Sequence, residues 1–286
     1  PRSGKFYPGS EMMAAATLPT PSAASPEREE QEYFLLYDAF ARLLDCWTDS
    51  AARYSALETL IEMRAGTLIE RLLDGLGLDL EQALEILKRR NDFPTQQERE
   101  RRDILAAGIE NMLDFAAAEE YAMCCDLPEK VAEDDYEFCD AVFERYNGHR
   151  AVQENLDVEY AAVMAAWWLT VGTEQMLTFT TQGDERVRPW HAALEGVSYP
   201  KSSFPAELIP PIEYGCRCFL TPDSQGAVTG VLELPEGVRI NPVFRESLCH
   251  AGRIFSAAHP YFRHPLPSAL HEHLQTLKRK FHLSWT

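Results

Sequence analysis

The chain of 286 residues has no apolar run close to the roughly 18 to 20 residues that a bilayer-spanning helix needs. Nor does it open on a basic stretch followed by a short apolar segment, the mark of a secretory signal. A soluble protein that stays in the cell where it is made is therefore expected. Positive charge is scarce: 27 Lys and Arg stand against 45 Asp and Glu, a net of -18. Proteins that grip nucleic acid neutralise phosphates with Lys and Arg, and an acidic surface repels phosphates at long range. Direct nucleic-acid binding is not expected of the chain as a whole. The short basic run Lys278-Arg279-Lys280 is expected to be the solvated end of a helix. The seven cysteines are an odd count in a long chain, which argues against a disulfide framework and for reduced thiols. There is no phosphate-binding loop, no dinucleotide fingerprint and no Ser-His-Asp order. No fixed-period repeat or sustained heptad appears either.

What is present is an ordinary globular balance, with 45% hydrophobic and 25% charged residues, enough for a real core. Residues 1 to about 26 are rich in Pro, Ser, Ala and Thr, a composition that buries too little apolar surface to fold, so a flexible leader is expected. From Glu27 the apolar residues fall at three- and four-residue steps, as in Tyr33, Leu36, Tyr37, Phe40, Leu43, Leu44 and Trp47. A second stripe runs from Ala56 to Leu73 and is expected to stop at Gly75 and Gly77. Asp79 suits an N-cap for a helix over Leu80 to Arg90. Thr95 with Glu98 makes a capping box for a longer helix reaching about Cys125. Further helices are expected over Asp134 to Tyr146 and Gln153 to Val171, and Cys46, Cys124, Cys125 and Cys139 fall beside apolar residues as packing residues.

At Met176 the pattern changes. Leu177 to Thr181 alternates and carries β-branched residues, predicting a strand. Shorter strand-like pieces follow at Arg217 to Leu220 and Gly230 to Leu234, among many prolines and turns, with a last helix over about Pro267 to Phe281. The expected fold class is α+β: an N-terminal helical bundle, then a small loop-rich module with short strands and a C-terminal helix. Three parts are expected: the leader at 1–26, an acidic helical bundle at 27–150, and a compact domain at 151–286.

The chemistry gathers between Gly183 and Cys218. One carboxylate (Asp184), one imidazole (His191) and two thiols (Cys216, Cys218) fall in a loop-dominated stretch. These are the donors zinc prefers, and four of them close a tetrahedral shell. On an extended backbone the two side chains of Cys-x-Cys point to one face, so both thiolates reach one ion. A loop-rich module with few regular elements gains most from such a staple. The same residues also admit plainer roles. Asp184 suits a turn that bonds the backbone near Arg186, His191 a hydrogen-bonded structural histidine, and the two cysteines ordinary strand positions. Arg186 and Arg188 are candidate partners of Asp184 or Glu195.

The run Asp184-Glu-Arg-Val-Arg188-Pro-x-His191-x-x-Leu194-x-Gly196, then Pro210-Pro211, then Gly215-Cys216-Arg217-Cys218, resembles the Mu F-like phage head morphogenesis proteins. The helix around Val158 to Ala166, the strand after it, and the later Asn241-Pro-x-Phe244, Gly252-Arg-Ile-Phe255 and His259-Pro-Tyr-Phe262 fall where that family has them. The resemblance covers about residues 155 to 265. Two departures stand out: Glu195-Gly196 where the family has Asp-Gly, and no Trp between that Gly and the paired prolines. The resemblance implies a minor head protein of a phage or prophage. Such a protein is portal-associated, assists prohead assembly, has portal, capsid or scaffold proteins as partners, and resides in the virion and the host cytoplasm. It implies no enzyme activity and is compatible with a homo-oligomer. On this reading the helical half docks on a partner and the second half is held by Asp184, His191, Cys216 and Cys218, with zinc as the cofactor. The alternatives are a metal-dependent hydrolase or nuclease, whose open metal position holds a water, and a domesticated prophage adaptor.

Overall fold

Side chains that accept from free backbone N–H groups mark where three of the long helices begin. A computed structural model describes residues 19–20, 25–89, 92–223 and 239–283; most of the leader and the strand expected at Gly230 to Leu234 lie outside these residues. Helix α1 (Pro26–Asp45) opens on a proline, whose missing N–H costs nothing in a first turn. Helix α2 (Ser50–Leu76) is capped by Asp49, whose carboxylate accepts from the backbone of Ala51 and Ala52. Helices α3 (Leu80–Lys88) and α4 (Gln96–Asp126) each carry a capping box, Asp79 with Gln82 and Thr95 with Glu98. Helices α5 (Tyr136–Asn147) and α6 (His149–Thr170) meet at Gly148 and complete the bundle.

One expected boundary is corrected. Gly75 does not stop α2; the helix runs on to Leu76 and ends at Gly77, which takes the left-handed conformation with φ 65°. Gly75 instead lies where α2 crosses α6. A Cβ there would stand 2.5 Å from the carbonyl oxygen of Glu159 and 2.6 Å from Ala162 Cβ. The glycine is thus a contact residue, chosen by packing rather than by turn chemistry.

The bundle core buries charge at Arg64. Arg64, fully buried on α2, donates to Glu119 at 2.6 Å, to Asn155 at 2.7 Å and to Glu154 at 3.2 Å. Glu120, also fully buried, accepts from Asn147 at 3.3 Å. Of the cysteines expected to pack, Cys139 is buried, Cys46 and Cys124 are half-buried, and Cys125 is exposed; all seven are free thiols.

After α6 the chain forms a three-stranded antiparallel sheet in the order β2-β1-β3, from β1 (Met176–Thr180), β2 (Ser198–Pro200) and β3 (Phe219–Asp223). The one-turn helix α7 (Pro189–Ala192) lies between β1 and β2. Leu177 and Phe179 of β1 turn inward and are fully buried. Phe179 pairs across the ladder with the equally buried Leu220, as the period of two requires. Cross-strand hydroxyls join Thr178 to Ser198 at 2.7 Å and Thr180 to Thr221 at 3.0 Å. Strand β3 begins two residues later than the Arg217 start expected for it, and no sequence pattern marks β2.

The remaining chain returns to the bundle through 3-10 turns and helix α8 (Ser268–Lys280). Asn111 of α4, 1% exposed, accepts from the backbone of Ile254 (2.8 Å) and Phe255 (3.0 Å) and donates to the Phe255 carbonyl (3.0 Å). The basic end of α8 is not simply solvated. Lys278 is buried and pairs with both Glu110 and Asp114 of α4 at 2.8 Å. The result is an N-terminal helical bundle carrying a small sheet, 3-10 turns and a C-terminal helix. No helix among the described residues is long and apolar enough to cross a membrane.

Candidate metal centre

Two short segments bring three of the candidate ligands together. His191 sits on α7, whose first residue is again a proline. Cys216 and Cys218 lie in the tight segment that leads into β3, after Gly215 with φ 64°, a conformation that favours glycine. Arg188, just before α7, donates to the Tyr214 carbonyl at 2.7 Å and fastens the histidine turn to the cysteine turn. Gln182 donates to the Arg217 carbonyl at 2.9 Å and adds a second tie.

His191 Nδ1 lies 3.3 Å from Cys218 Sγ and 3.9 Å from Cys216 Sγ. All three donor atoms fall within 4.8 Å of one another, and the three residues are 2–3% exposed. With Zn–S near ~2.3 Å and Zn–N near ~2.0–2.1 Å, tetrahedral geometry puts neighbouring donors about 3.5 to 3.8 Å apart. The observed spacing therefore fits a zinc-sized ion with little movement. His191 Nε2 is buried and has no hydrogen-bond partner among the described residues.

The electrostatics also favour a metal-ready state. Burial by itself would keep Cys216 protonated. Hydrogen bonds from Cys218, from His191 and from the backbone of Ile212 outweigh it, and the Cys216 thiol is held well below its ordinary range. Cys218 moves the other way, raised by its hydrogen bond to Cys216 and then by its own burial. The two sulfurs and the imidazole nitrogen thus face one another within hydrogen-bonding reach. This is the chemistry of a soft cation site, since the thiolate is the form that binds metal.

Asp184 is not part of this group. Its carboxylate is exposed and forms a two-pronged pair with the Arg217 guanidinium at 2.8 and 2.7 Å, while also accepting from the Arg186 backbone at 3.1 Å. The bond to Arg217 holds its carboxyl below the ordinary aspartate value. The turn role open to Asp184 is realised, with Arg217 rather than Arg186 or Arg188 as the cation. Glu195 accepts from the Thr181 backbone at 2.6 Å and so closes the end of β1.

No family model and no solved structure matches this chain. An uncharacterized protein of Methanocaldococcus jannaschii is 50% identical to it over 44 residues, which is 15% of this chain and 7% of that protein. The match thus spans a small fraction of either.

Sequence patterns missed the part played by α6. Asp157 accepts from the Gly215 backbone at 2.8 Å, and Gln153 donates to the same carboxylate at 3.2 Å. The Tyr160 hydroxyl donates to the Cys218 carbonyl. A signal exists: Gln153, Asp157 and Tyr160 are polar groups at i, i+4 and i+7, which lie on one face of the helix. Only knowledge of what packs on that face gives the spacing a meaning.

Proposed function

We propose that this chain is a non-enzymatic assembly protein of the Mu F-like head-morphogenesis kind, whose C-terminal module is held together by a structural zinc. One observation carries the metal part: residues 25 and 27 positions apart from His191 converge with it on one buried point. The head-protein part rests on the motif run Asp184 to Cys218 itself. His191, Cys216 and Cys218 would hold the ion, which would supply cross-linking between the α7 turn and the entry to β3. A substrate would need access to any metal that acts on it. The 2–3% exposure of all three donors favours a structural role over hydrolysis.

In this reading the acidic helical half meets protein partners of the capsid, such as portal, scaffold or capsid protein. The chain's net charge of -18 would disfavour its capture by packaged DNA. Purified protein is expected to contain about one zinc per chain, as a single closed site holds. Cys216→Ser or Cys218→Ser should lose the metal and lower the melting temperature. Metal-free protein whose stability is unchanged in both mutants would sink the zinc centre. Co-purification with a portal or capsid protein encoded beside it tests the assembly role, and indifference to all of those proteins would count against it.

A further inference from the structure

We propose that Asp157 and Tyr160 of α6 are the positioning residues of the centre: they hold the Cys-x-Cys turn in the shape that binds the ion. This deepens the metal reading above and rests on it. The two residues stand at i and i+3 of the helix and so share one face. Asp157 Oδ1 accepts from the Gly215 N–H at 2.8 Å, just before the first cysteine, and the Tyr160 hydroxyl donates to the carbonyl of Cys218 itself. The turn is thus pinned to α6 on either side of its two thiols.

Two further ties reach the turn from the histidine side, Arg188 to the Tyr214 carbonyl and Gln182 to the Arg217 carbonyl. The ties to α6 differ from the Gln182 tie, which lies at the surface, because Asp157 and Tyr160 are 2% and 1% exposed. Losing a buried partner leaves a polar group unsatisfied, so these two hold the turn most firmly. Helix α6 is itself fixed by the bundle, through Glu154 and Asn155 on Arg64. Gly215 permits the close approach: its φ is 64°, and a Cβ there would stand 3.1 Å from Gln153 Oε1. The result is a ligand group gathered within 4.8 Å. A turn already held in its bound shape spares the ion the cost of ordering it. Asp157 and Tyr160 act through the backbone of that turn rather than through a bond to the ion.

Cobalt(II) titration of the full chain, read by visible absorption well below the melting temperature of each variant, tests this. Wild type should bind about one equivalent, and Cys216→Ser should lose it. Tyr160→Phe keeps the ring and removes only the donor to Cys218, while Asp157→Ala removes the acceptor for Gly215. Each should weaken cobalt binding by ~10- to 100-fold, the range for residues that orient metal ligands. Asp157→Asn keeps the acceptor and should restore wild-type affinity. A role in packing alone would lower the melting temperature and leave the affinity of the folded protein untouched. Folded Tyr160→Phe with wild-type affinity therefore overturns the proposal, as does Asp157→Asn binding as weakly as Asp157→Ala. If Asp157→Ala does not fold, Tyr160→Phe decides alone. If wild type binds cobalt and Cys216→Ser does not, the metal reading stands whatever the α6 variants do. If wild type binds none, it is the metal reading that fails, and this proposal with it.

Discussion

At the scale of single residues, Arg64 is fully buried among acids of the bundle. Three carboxyl groups, Glu119, Glu120 and Glu154, are 0–3% exposed and share one buried guanidinium. In a low-dielectric interior one guanidinium facing three carboxyls disfavours the ionisation of all three at once. Burial, then the charge of Glu119, raises Glu120 and Glu154 well above the ordinary glutamate value, against the pull of Arg64. A carboxyl with a higher pKa in the fold than in the unfolded chain takes up a proton on folding. Its stabilising contribution is then complete below the unfolded value of about 4.3 and is lost as pH climbs toward the folded one. Glu154→Gln keeps the shape and removes one such titration. Urea unfolding at pH 5 and pH 8 should show a smaller loss of stability with rising pH in the variant than in wild type, and an identical loss would refute the charge count. Arg64→Met should be the severe change, costing about 3 to 5 kcal/mol by leaving buried acids unpaired.

Among the elements, the crossing of α2 and α6 depends on one missing side chain. Gly75→Ala would drive a methyl into the α6 backbone and should cost about 1 to 3 kcal/mol, the usual penalty of overpacking. Gly66 lies in the same helix with open space within 4 Å of where a Cβ would stand, so Gly66→Ala should instead stabilise by about 0.5 to 1 kcal/mol. Denaturant midpoints of the two variants should therefore move in opposite directions; a shared direction would mean that helix propensity alone decides. The helices themselves were legible in the chain, because period and capping are local. Asp79 with Gln82 and Thr95 with Glu98 need only neighbours three residues away. Strand β2 escaped notice because three residues carry no period; Ser198 to Pro200 become a strand only by pairing with β1.

For the whole molecule, one apolar core runs from α1 through the sheet to α8, so residue 150 does not mark a gap in packing. Helix α6 belongs to both halves. It packs on α2, gives Glu154 and Asn155 to Arg64, and holds the cysteine turn. A fragment spanning 26–150 should thus form helix without a cooperative melt, whereas 26–171 should regain one. Circular dichroism melts decide this, and a sharp transition in the shorter fragment would make 150 a true domain boundary.

The sequence by itself determined the helical half, the change of character at Met176, and three members of the candidate centre. Each depends on residue type and on spacing along the chain. Tertiary structure alone decided the fourth candidate. Arg217 lies 33 residues from Asp184 and out-competes any other partner for it, because a charged fork matches a carboxylate better than a distant ion does. It also decided that Asp157, on a helix the pattern assigned to packing, faces the cysteine turn. Such pairings are made by helices and loops meeting across the fold, and a one-dimensional pattern holds no record of which faces will meet.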